Sequence, residues 1–144
     1  MTANCDRTFG QKYQYSNLIK LLQYRASNQS KEVAYRFIRQ GTTEIDRITY
    51  QELNRQARAI AFSLQHLCVA GERALLIYSS GLEFIAAFFG CLYAGVIAVP
   101  AYPPRRNQKM SRLQVLVAEA QARVALTTES LLSNIASRFV QSEF

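Results

Sequence analysis

The side chains in this chain that could do chemistry are few. Glu52 and Glu83 could act as paired carboxylates in acid–base work. Each, however, stands three places after a hydroxyl residue, in Thr49-Tyr-Gln-Glu52 and Ser80-Gly-Leu-Glu83. That is the spacing of a capping box, in which the hydroxyl accepts from the third helical N–H and the carboxylate reaches back to the cap N–H. Both glutamates are therefore expected to start helices. His66 is the only histidine. It lies two positions beyond Leu64, about 200° around a helix from that apolar position, and is expected on the surface with no catalytic or metal partner near it in sequence. Cys5, Cys68 and Cys91 have neither metal nor redox spacing and are expected as buried free thiols in a reducing cytosol. Arg105, Arg106 and Lys109 follow Pro103-Pro104 as a basic loop. Such a loop could steer an acidic partner, or it could be a solvated connection.

The composition limits what these groups can be part of. At 144 residues the chain is one domain or part of one. The net charge is +7, but it is spread along the chain. Nucleic-acid binding needs a basic stripe with interleaved aromatics, and none stands out. Met1 to Gly10 has no apolar core of the kind that signal peptides carry, so a cytoplasmic location is expected. Phe84 to Ala101 is uncharged and close to the ~18 residues of a membrane helix. Gly90, Gly95 and Pro100 interrupt it, and Val96, Ile97 and Val99 are β-branched, so the segment predicts a buried helix followed by a buried strand.

The elements that must position these groups follow from periodicity. Residues 1–15 are expected to be poorly ordered. Ser16 to Asn28 reads as a helix with an apolar stripe of Leu18, Ile19, Leu21, Leu22 and Ala26. Val33 to Ile38 and Glu44 to Thr49 read as a hairpin around a turn at Gln40 to Thr43. A helix runs from the Thr49 cap to about Leu67, with Leu53, Ala57, Ile60, Ala61, Leu64 and Leu67 on its buried face. Then come strand Arg73 to Tyr78, helix Leu82 to Ala94 behind a Ser80 cap, and strand Val96 to Ala101. The loop Tyr102 to Lys109 leads to helix Met110 to Ala120, strand Arg123 to Thr127 and helix Glu129 to Val140. The alternation from Arg73 onward predicts an α/β fold: a partly parallel sheet with flanking helices, preceded by a helix and a β-hairpin. Near-continuous apolar strands imply cover on both sides of that sheet.

Fold class alone leaves many functions open. Two longer stretches narrow the choice. Ile48-Thr-Tyr-Gln-Glu-Leu53 resembles the first core motif of the adenylate-forming ligases. Gly81-Leu-Glu-Phe-Ile-Ala-Ala-Phe-Phe-Gly-Cys-Leu-Tyr-Ala-Gly-Val-Ile-Ala-Val-Pro100 resembles the second. Ala101-Tyr-Pro-Pro-Arg105, Thr127-Thr-Glu-Ser-Leu-Leu132 and Ile135-Ala-Ser-Arg-Phe139 are most similar to the fatty acyl-AMP ligase branch, whose members load bacterial polyketide and lipopeptide assembly lines. The resemblance covers the chain from about Leu18 onward.

The resemblance implies a fatty acid that attacks the α-phosphate of ATP, with Mg²⁺, to give acyl-AMP, followed by acyl transfer to an acyl carrier protein. It also implies that residues 1–144 are the N-terminal part of the ligase's large domain. The family's phosphate loop, nucleotide contacts and lid lysine lie downstream. No catalytic, cofactor-binding or metal residue is therefore expected in this chain, which alone should be inactive. Tyr78-Ser-Ser-Gly81 departs from the family, which commonly has proline or glutamine before the glycine. Arg105, Arg106 and Lys109 are the candidate carrier contacts. Phe84, Phe88, Phe89 and Tyr93 could line an acyl tunnel, although their helical spacing suits core packing better. The expected partners are the rest of the ligase and a carrier protein, with self-association of the isolated chain through exposed sheet edges. Two alternatives stay open: a carrier-binding module without catalysis, and part of an acyl-CoA or amino-acid adenylating enzyme. A Rossmann-type oxidoreductase is disfavoured, because no G-x-G-x-x-G follows a strand.

Overall fold

The structure, a computed structural model, describes residues 15–38, 45–104 and 111–141. The expectation of disorder before Tyr15 and the hairpin turn at Gln40 to Thr43 lie outside the described residues.

Helix α1 spans Leu18–Asn28. The side chain of Asn17 accepts from the Lys20 N–H at 2.9 Å, so Asn17 is the cap and the helix starts two residues later than Ser16. Its predicted stripe is only partly buried. Leu22 is in the core, but Leu18 is 51% exposed. Ile19, Leu21 and Ala26 are half-buried. Strands β1 (Val33–Ile38) and β2 (Ile45–Thr49) pair antiparallel, with Arg36 opposite Arg47 and an irregularity between Val33 and Tyr35. Ile48 is buried beneath this hairpin.

Helix α2 (Tyr50–Leu67) begins with the predicted capping box. The Glu52 N–H donates to Thr49 Oγ1 at 3.2 Å, and the Thr49 N–H donates to Glu52 Oε2 at 2.9 Å. Leu53, Ala57, Ala61 and Leu64 form its buried face; Leu67, expected there, is 56% exposed at the helix's last residue.

Strands β3 (Arg73–Ile77), β4 (Ile97–Ala101) and β5 (Val124–Thr127) form a parallel sheet in the order β4-β3-β5. Helix α3 (Leu82–Ala94) connects β3 to β4. Helix α4 (Ser111–Ala120) leads into β5, and α5 (Glu129–Gln141) follows it. The alternation of side chains along β3 divides the core in two. Ala74 and Leu76 pack with Leu64, Ala87 and Cys91 of the α2–α3 layer. Leu75 and Ile77 pack with Leu113 and Ile135 from α4 and α5. Cover on both faces thus holds for the central strand. On the edge strands Ile97, Pro100 and Ala125 are exposed, because no further strand flanks them among the described residues.

The α2–α3 contact is close because the facing residues are small. A Cβ on Gly90 would lie 2.6 Å from Ile60 Cγ2 and 3.3 Å from the Ala57 carbonyl oxygen. Helix α3 ends at Gly95, which takes the left-handed conformation (φ 71°), and the Val96 N–H reaches back to the Cys91 carbonyl at 2.9 Å. Phe84 to Ala101 is therefore helix, glycine turn and strand. Among the described residues no helix is long and apolar enough to cross a membrane.

Candidate functional site at the carboxyl edge of the sheet

The strand order fixes where a crevice should form. From β3 the chain goes first to one side, to β4, and then to the other, to β5. In open α/β sheets ligands bind outside the carboxyl ends of the strands where the winding reverses in this way. Ala101, Ile77 and Thr127 stand at one level in the register. The residues just beyond them form the edge: Tyr78 to Gly81, Tyr102 to Pro104, and Thr128.

Tyr78 is half-buried. Its ring meets Phe84 edge-on at 6.4 Å, and Phe84 stacks on Phe88 at the same distance. Burial raises the Tyr78 phenol above its ordinary pKa, so it stays protonated and can donate a hydrogen bond at neutral pH. Tyr102 is 88% exposed. Thr127 Oγ1 is buried with no hydrogen-bond partner among the described residues. Thr128 caps α5: its carbonyl accepts from the Leu132 N–H at 2.9 Å, and its hydroxyl is 3.4 Å from the Leu131 N–H. The Thr127-Thr-Glu-Ser run thus serves a helix start. Only its position at the end of an apolar strand, visible once the sheet order is known, marks Thr127 as part of this edge.

The second predicted capping box does not form. The cap of α3 is Gly81, in extended backbone, and it has no side chain to accept a helical N–H. Shifting the cap by one residue puts Glu83 at the second helical position instead of the third, so Ser80 and Glu83 cannot bond reciprocally. The Glu83 carboxylate lies beside Gly81 instead, where an added Cβ would be 2.8 Å from Oε2. Negative charge there complements the helix dipole, but it also opposes any anion approaching α3 from this edge.

The remaining candidates lie elsewhere. Glu52 belongs to its capping box, and the hydrogen bond from the Thr49 backbone holds its carboxyl below the ordinary range, aided by the Thr49 hydroxyl and by the Arg55 and Arg47 charges. Two open concavities of about 330 Å³ each flank it. The N–H groups that open α2 are already used: they go to the Glu32 carbonyl, the Ser30 carbonyl and Thr49 Oγ1. His66 is exposed. Its Nδ1 donates to the Phe62 carbonyl at 2.7 Å, and its ring meets the Phe62 ring edge-on. Cys68 and Cys91 are buried and unpaired. Burial pushes the Cys91 thiol up to about 11, which removes it as a nucleophile near neutrality. Cys5 lies outside the described residues. Phe89 is in the core, and the Tyr93 hydroxyl donates to Asn54 Oδ1 at 2.6 Å, tying α3 to α2. Arg105, Arg106 and Lys109, the predicted carrier contacts, lie outside the described residues and follow directly on Pro104 at the carboxyl edge.

The described edge thus offers phenols, hydroxyls and an aromatic ladder, which can hold and orient a ligand. It contains no base paired with a nucleophile. Among the described residues no group of three or more histidine, cysteine or acidic side chains could hold a metal ion.

A sequence profile of the AMP-binding enzymes matches residues 22–143. The medium-chain-fatty-acid–acyl-carrier-protein ligase JamA of Moorena producens is 50% identical over 86% of this chain. A putative fatty-acid–CoA ligase, FadD21 of Mycobacterium tuberculosis, is 33% identical over 84%. The crystal structure of a fatty acid AMP ligase from Legionella pneumophila superposes with a TM-score of 0.77 at 32% identity, over 84% of this chain and 21% of that one. The chain spans 22% of the length of either sequence relative.

Proposed function

Since the chain belongs to the AMP-binding enzyme family, we propose that residues 1–144 form the N-terminal part of the large domain of a fatty acid–AMP ligase. The whole enzyme joins a fatty acid to AMP at the expense of ATP, with Mg²⁺, and passes the acyl group to an acyl carrier protein in the cytoplasm. The observation that carries this reading is the 50% identity to an acyl-carrier-protein ligase across nearly the whole chain, including both core motifs. The parallel sheet and its carboxyl edge support it, because they supply a scaffold of the kind that binds ligands at strand ends.

The described residues do not fit ATP or Mg²⁺. They present no metal-ligating cluster, the N–H groups opening α2 are spent, and a carboxylate sits beside the start of α3. No step of the reaction is assigned to them. In this reading they set the position of the edge against which the rest of the ligase assembles. Arg105, Arg106 and Lys109 are the proposed carrier contacts: their positive charge would raise the encounter rate with an acidic carrier.

The test is a chimera in which this chain replaces the equivalent residues of the Moorena ligase. It is expected to form acyl-AMP and to acylate the carrier, while the chain by itself leaves fatty-acid-dependent ATP–pyrophosphate exchange at background. A folded chimera without acyl-AMP formation would overturn the reading. So would exchange by the chain alone that a substitution within it abolishes. Offering coenzyme A and carrier protein to the same chimera decides the acyl acceptor, a point raised by the likeness to a putative CoA ligase.

A further inference from the structure

We draw no further inference here: the strongest candidate, the exposed face of the β1–β2 hairpin on which Arg36 stands directly opposite Arg47, carries none, because nothing in the structure shows what covers it.

Discussion

The β1–β2 hairpin and the parallel sheet are built from strands of similar length, yet they are buried very differently. Ala74 to Ile77 of β3 are all in the core, whereas no residue of β1 is fully buried. The difference lies in the number of layers. β3 has α2 and α3 on one face and α4 and α5 on the other, and strands on both flanks. The hairpin meets the helices through Ile48 and Ala34. A strand's burial thus depends on what its neighbours supply on each side as well as on its own apolar residues.

Five substitutions, in three steps, test that contrast. The largest effect is expected at Leu75, which is fully buried against α4 and α5. Leu75→Ala should cost about 2–5 kcal/mol in urea unfolding. Tyr35→Ala on the hairpin, at a side chain 39% exposed, should stay within about 0.5 kcal/mol. Equal losses would break the comparison. Next comes the helix layer that covers β3. Gly90→Ala forces Ile60 to move and should cost about 1–3 kcal/mol in the same measurement. A neutral result would mean that the α2–α3 spacing adjusts freely. The smallest pair contrasts two helix starts. Thr49→Ala removes a formed cap and should cost about 1 kcal/mol. Ser80→Ala removes a hydroxyl that caps nothing and should be silent within about 0.5 kcal/mol. A matching loss at Ser80 would show that it caps α3 in solution.

These helix starts also show what could be read from the sequence. Both have a hydroxyl followed by a glutamate at the same spacing. The pattern located α2 to the residue and found the bounds of α3, but it could not tell that Gly81 would displace Ser80 as the cap. Local periodicity likewise placed every strand within a residue or two and called the β3–β5 region parallel. Their lateral order is a long-range property, and with it the place of Thr127 at the carboxyl edge stayed invisible. The exposure of Leu18 was misread for a related reason: helical spacing shows which residues share a face, but not how far along the axis a neighbour reaches. The basic loop at Arg105, Arg106 and Lys109 was legible only as charge.

The opposite rim of the sheet is built in another manner. The Gly71 N–H meets the Gly95 carbonyl at 2.8 Å, the Glu72 N–H returns to the Val69 carbonyl, and the Glu72 and Arg73 carbonyls receive the N–H groups of Ile97 and Arg123. Gly71 and Gly95 both have positive φ, so the turns there are tight as well as bonded. Added or deleted residues at this rim would break several of these bonds together. Lengthening the Pro-Pro connection on the far side would break none of them. The scaffold can therefore accept insertions and deletions on one rim while its strands keep their register, which gives the lineage a place to vary what the edge recognises without solving the folding problem again.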